Sequence, residues 1–185
     1  AVAREGKGGA EGRGRAHIFE PGMDAQSQAR ALLEDLGEGD FVLALISGGA
    51  SALLCAPAGE VTLEEKQAVN RALLASGAPI GQMNLLRKHL SRVKGGQLAA
   101  AAYPARMLAL MVSDVPGDDP ALIGSGPTVG DRSTAEEARA ILDRWGIEAP
   151  PSVRAVLEGR GTAFLPPPPY AIAHTLLTRW AAGVP

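Results

Sequence analysis

With 185 residues, a net charge of −2 and a pI near 5.9, the chain can bury the core of one domain and has no bias toward nucleic acid or an anionic membrane. Two Trp, two Tyr and three Phe are too few for base-stacking platforms, and a single cysteine excludes an intrachain disulfide and fits a reducing compartment. No apolar run approaches the roughly 20 residues of a membrane helix, and "AVAREGKGGAEGRGRAHIF" has charge and glycine where a signal peptide is apolar, so a cytoplasmic protein is expected.

In chain order, a short strand is predicted around Ala16–Phe19, then a helix from about Asp24, its N-cap, to Leu36. "FVLALI" (41–46) is a continuous apolar run, the pattern of a strand covered on both faces by helices. Thr62 and Glu65 stand at capping-box spacing before a helix that Gly77 closes. A second helix is predicted from about Asn84 into "KGGQLAAAA", broken at Gly95–Gly96. "RMLALMV" (106–112) reads as another buried strand; Ser133 and Glu136 then repeat the capping box, with Gly146 as the stop. Strands separated by helices imply parallel pairing through crossovers. The expected fold is therefore α/β: a three-layer α/β/α sandwich with a mostly parallel sheet, incomplete at both ends. "LPPPPY" (165–170) is a stiff extended spacer. Residues 1–160 are expected to form one partial domain, and 161–185 a linker and the start of a further domain.

Ligands of such sheets sit beyond the carboxyl ends of the strands, which singles out two loops. In the first, "SGGAS" (47–51), Gly48 and Gly49 permit positive φ and close approach, so that consecutive N–H groups can converge on an anion. Ser47 and Ser51 add hydroxyl donors; the competing reading is a tight strand-to-helix turn. Other glycine motifs fit worse. A P-loop needs Lys-Ser/Thr after its last glycine, a hydrolase elbow needs G-x-S-x-G, and no G-x-G-x-x-G occurs. The second loop, "SDVPGDDPALIGSGPT" (113–128), presents Ser113, Asp114, Asp118 and Asp119 at a strand end. Such carboxylates can hold Mg²⁺ with a nucleotide's phosphates completing the shell, although aspartates in a Pro-Gly loop are also ordinary turn residues.

The third element is "NLLRKHLSRVKGG" (84–96), where helical spacing puts Leu86, Leu90 and Val93 on one face. Arg87, Lys88 and Lys94 are the candidate contacts for a carboxylate or phosphate. The glycine pair after Lys94 would let a second backbone or a ligand come close, while His89 is expected to be structural.

Together, "LISGGASALL" (45–54), "TLEEKQAVNRALLASGAPIGQMNLLRKHLSRVKGGQLAAAAYPAR" (62–106) and "SDVPGDDPALIGSGPTVGD" (113–131) resemble the N-terminal domain of the glycerate 2-kinases of the MOFRL group. Some members were once labelled hydroxypyruvate reductases. The resemblance runs nearly continuously from Phe41 to Asp131. It implies an enzyme that phosphorylates D-glycerate to 2-phosphoglycerate with ATP and Mg²⁺ in a cleft between two domains. On this chain it implies phosphate and substrate contacts at Ser47, Gly48, Gly49, Ala50, Ser51, Arg87, Lys88 and Lys94, and metal ligands at Asp114 and Asp118. No catalytic residue is assigned.

Two departures stand out. The family's loop usually reads Ser-Gly-Gly-Gly-Ser, and here Ala50 takes the third glycine's place. The family's earlier Gly-Lys unit is not matched by Gly6–Lys7, which lies too near the glycine loop. With the second domain expected only after the proline run, this chain alone is expected to be weakly active or inactive, and its exposed domain interface to favour self-association. An oxidoreductase acting on hydroxypyruvate and a non-catalytic anion-binding remnant are the competing readings; the missing nicotinamide fingerprint weighs against the first.

Overall fold

Among the described residues five strands form one sheet: β1 (Val2–Arg4), β2 (Arg15–His17), β3 (Phe41–Ile46), β4 (Arg106–Val112) and β5 (Ile172–Leu177), in spatial order β2-β1-β3-β4-β5. The structure, a computed structural model, describes residues 33–47 and 49–159 together with the backbones of β1, β2 and β5. β3, β4 and β5 run parallel, and β1 runs antiparallel to both β2 and β3. The sheet is thus mixed, parallel in one half only. The reason is local: only residues 5–14 separate β1 from β2, whereas parallel neighbours need a crossover of roughly a dozen residues or more. β5 falls in the stretch that the sequence assigned to a linker and a further domain, and its backbone extends the sheet beside β4. The strand expected at Ala16–Phe19 is found at Arg15–His17, and the helix expected from Asp24 lies largely outside the described residues.

The register of β3 on β4, from Phe41↔Arg106 to Ile46↔Met111, brings their carboxyl ends level. Val42, Ala44, Ile46, Met107, Ala109 and Met111 alternate onto one buried face, packed against Leu33, Val93, Leu98 and Ala102. The opposite face is covered unequally, with Leu45 49% and Val112 38% exposed. The continuous apolar runs therefore overstate how deeply both faces lie.

Six helices are described: α1 (Ala50–Leu53), α2 (Leu63–Ser76), α3 (Ile80–His89), α4 (Gln97–Ala102), α5 (Ala135–Arg144) and α6 (Pro151–Gly159). The box at the start of α2 forms as expected: Glu65 N–H donates to Thr62 Oγ1 (3.1 Å) and Thr62 N–H to Glu65 Oε2 (2.8 Å). The box of α5 sits one residue later than predicted, on Thr134 and Glu137. Both frames satisfy the spacing, but the Ser133 hydroxyl is turned to Asp131 Oδ2 (2.7 Å). α3 starts four residues earlier than predicted, because the Pro79 carbonyl accepts from Gln82 and Met83. It also ends at His89, so a loop, not a helical turn, carries the chain to Lys94.

α2, α3, α5 and α6 bury Val69, Leu73, Leu86, Leu90, Ile141, Leu142 and Leu157 in a second core, separate from that of the sheet. Trp145 closes it at one end, its indole N–H donating to Gln82 Oε1 (2.7 Å).

Candidate functional site

Because β3 and β4 end level, the loops that leave them are neighbours. Gly49, at φ 77, donates its N–H to Asp114 Oδ2 at 2.7 Å, joining the glycine loop to the aspartate loop. A left-handed residue there is one that L side chains adopt at a cost of roughly 1–2 kcal/mol. The Ala50 N–H turns back to the Ser47 carbonyl (3.3 Å), and Ala52 N–H to that of Gly49 (3.2 Å). A carboxylate of the chain itself thus rests on the amide that the sequence offered to an external anion. Gly48 lies outside the described residues.

Three loops converge on Ser51. Its hydroxyl is 2.6 Å from that of Ser125, a buried non-glycine residue held at φ 66. Its carbonyl and its hydroxyl (3.3 Å) both accept from Lys94 Nζ. The glycine pair after Lys94 does admit a second backbone: Gly95 N–H donates to Ser125 O (3.0 Å) and Gly96 N–H to Gly126 O (2.7 Å). A Cβ on residue 96 would lie 2.9 Å from Val129 O, so only glycine fits.

Gly49, Ser51 and Lys94 open onto a cavity of about 560 Å³ whose other walls come from α1, α2 and α3. Three cations line it: Lys66, Arg87 and Lys94. Arg87 is held in place by Asn70, whose Oδ1 accepts from Nε (2.7 Å), and by Asn84, whose Oδ1 accepts from Nη1 (3.2 Å). Burial lowers the Arg87 pKa from its ordinary value. Lys94 is only 3% exposed, and its ammonium is pushed down to about 8, first by burial and then by the charges of Lys66 and Arg87, with Cys55 acting the other way. Lys66 and Arg87 thus lie near enough to Lys94 for their charges to oppose its own.

The sequence candidates are therefore sorted. Arg87 and Lys94 come together with Gly49 and Ser51 around the cavity. Lys88, the next residue on α3, points elsewhere and pairs with Asp131 at 3.6 Å. There it joins a network in which Ser133 links Asp131 to His89 Nε2 (3.1 Å), and His89 is not among the residues that line the cavity. Asp118 sits in a tight turn at φ 52, its N–H donating to Val115 O (3.3 Å), and Asp119 Oδ1 accepts from Ala121 N–H (2.9 Å). Among the described residues no group of three or more His, Cys, Asp or Glu gathers as a metal cage. Lys66 was missed. Its signal was there: Leu63, Lys66, Asn70 and Leu73 follow the spacing of one helical face, which puts a lysine in an apolar stripe.

A family model described as "Domain of unknown function (DUF4147)" matches residues 18–158. A protein of Agrobacterium vitis provisionally named hydroxypyruvate reductase is 56% identical over 138 residues, which are 75% of this chain and 32% of that protein. The glycerate kinase of Homo sapiens is 45% identical over 173 residues, 88% of this chain and 33% of the relative. The crystal structure of a glycerate kinase from Thermotoga maritima superposes with a TM-score of 0.76 at 42% identity, over 85% of this chain and 37% of that one. The chain spans about a third of the length of the curated relatives it matches. No helix among the described residues is long and apolar enough to cross a membrane.

Proposed function

The chain belongs to the DUF4147 family, and on that premise we propose that it serves the ATP-dependent phosphorylation of D-glycerate at its 2-hydroxyl, giving 2-phosphoglycerate. The glycerate kinases among its relatives support this reading. Within the molecule one arrangement carries it. Gly49 and Asp114 meet at the carboxyl ends of parallel strands, and Gly49 shares a cavity with Lys66, Arg87 and Lys94.

Phosphoryl transfer asks little covalent chemistry of a protein and much positioning and charge neutralisation. The three cations offer the second, and the pinned guanidinium of Arg87 offers the first. Asp114, anchored through one oxygen by the Gly49 amide, fits a Mg²⁺ ligand, since Mg²⁺ takes one or two carboxylates plus phosphates and water; Asp118 is the proposed second carboxylate. Bound there, Mg²⁺ would neutralise charge on the phosphoryl oxygens. On substrate binding, the Gly49 amide would pass from Asp114 to an oxygen of the incoming ligand.

The test is a chimera in which residues 41–131 replace the corresponding segment of the Thermotoga maritima glycerate kinase. The expected result is ADP release that depends on D-glycerate, with a product that enolase dehydrates. A second reading, reduction of hydroxypyruvate, is favoured by the name of the Agrobacterium vitis relative. Oxidation of NADH by hydroxypyruvate, without ADP release, would establish that reading and overturn the kinase.

A further inference from the structure

We propose that the cavity between α1, α2 and α3 seats the nucleotide, its phosphates against Lys66, Arg87 and Lys94 and its nucleoside against the aliphatic wall, which leaves the hydroxy acid to the Gly49–Asp114 side. The inference rests on the kinase reading and adds to it which ligand occupies which place.

Charge is the first argument. Among the described residues three cations line the cavity and no Asp or Glu does. A hydroxy acid brings one negative charge, which can neutralise one of the three. A di- or triphosphate brings several, and so relieves the mutual repulsion that weighs on Lys94. Size is the second. About 560 Å³ is in the range of cavities that enclose drug-sized ligands, roughly 300–1,000 Å³. A three-carbon acid would leave most of it to water, at roughly 30 Å³ per molecule. The wall is the third. Leu53, Leu54 and Leu63 present apolar surface to the cavity, backed by the buried Val69, Leu73, Leu86 and Leu90, and a purine or ribose can use that surface where a small polar acid cannot. Preorganisation is the fourth: Asn70 and Asn84 already hold Arg87, so little side-chain freedom is lost when it engages a phosphate.

The experiment is calorimetric titration of the 185-residue chain with ATP, inorganic tripolyphosphate, adenosine and D-glycerate. ATP is expected to bind at least about tenfold more tightly than tripolyphosphate or adenosine, since each of those uses one half of the cavity. Lys66→Met is expected to weaken ATP about 10- to 100-fold, the worth of one charge-assisted hydrogen bond, and to leave D-glycerate unchanged. Lys66→Arg should restore ATP binding, which separates lost charge from lost fold. Leu63→Gln, on a partly exposed residue, should weaken ATP and spare tripolyphosphate. If ATP binds the wild type and neither Lys66→Met nor Arg87→Met alters it, the nucleotide sits elsewhere and this assignment falls while the kinase reading stands. D-glycerate losing affinity with Lys66→Met would assign the cavity to the acid and overturn it too. A chain that binds no ATP, from a segment whose chimera reduces hydroxypyruvate, overturns both.

Discussion

A buried ammonium near two other cations carries a desolvation cost that its bonds to Ser51 only partly offset, and Lys94 bears that cost in the folded state alone. Its folded pKa of about 8 lies below the ordinary 10.5, so between those values the unfolded chain holds a proton that the native one has released. Stability attributable to Lys94 should therefore rise with pH from about 8 to 10.5 and stay at its low plateau below 8. The full span is on the order of 3 kcal/mol. Urea unfolding of the wild type against Lys94→Met at pH 7.5 and 10.5 checks it, because the variant should lack that rise. Anion binding runs the other way: an anion favours the charged form, so affinity should fall as pH climbs through about 8. Arg87 and Lys94 could be found in the sequence because they stand in a basic stretch next to a glycine pair. Lys88 was drawn in with them, although neighbours on a helix point about 100° apart and it turns to Asp131. Lys66 was missed for the opposite reason: it stands outside any basic stretch, and only its spacing from Leu63, Asn70 and Leu73 marks it.

Two glycines with almost the same φ separate backbone strain from steric fit. Gly49 has φ 77 and open space where a Cβ would stand, while Gly96 has φ 82 and a backbone carbonyl 2.9 Å from that point. Gly49→Ala should cost only the left-handed penalty, roughly 1–2 kcal/mol. Gly96→Ala should cost clearly more, because loop 125–130 must move, and should disturb the Ser51–Ser125 contact with it. Urea midpoints of the two variants decide the order; equal losses would mean that the loops are not in close contact. The helix starts offer a plainer test. Thr134→Ala is expected to lose about 1 kcal/mol through its cap. Most elements were legible because caps, glycines and apolar periods agree locally. What was not legible depended on partners: the frame of the α5 box was set by Asp131 taking the Ser133 hydroxyl, and β5 was set by the open edge of β4. α6 was passed over, although Pro151 at its first position and Val153 and Leu157 one turn apart mark it.

At the level of the molecule the cavity lies where the end of the sheet meets the helical core, so Leu73, Leu86 and Leu90 pack the core and back the cavity wall at once. Leu86→Ala, at a fully buried position, is expected to cost roughly 2–5 kcal/mol. A bound ligand should give back about 2.7 kcal/mol at a hundred times its Kd, visible as a rise in the thermal midpoint. The class of fold followed from alternation of strands and helices, but the split into two cores did not, because periodicity tells which face of a helix is buried and not against what. One last property follows from where the cavity's wall lies in the chain. Every described residue of it falls between Gly49 and Lys94, within the single crossover that joins β3 to β4. The pocket is therefore one continuous paragraph of the gene. Its braces come from later in the chain, Asp114 on Gly49, Ser125 on Ser51 and the α5–α6 side of the core, so an exchange of that interval between relatives would keep the lining and test whether those partners still fit it.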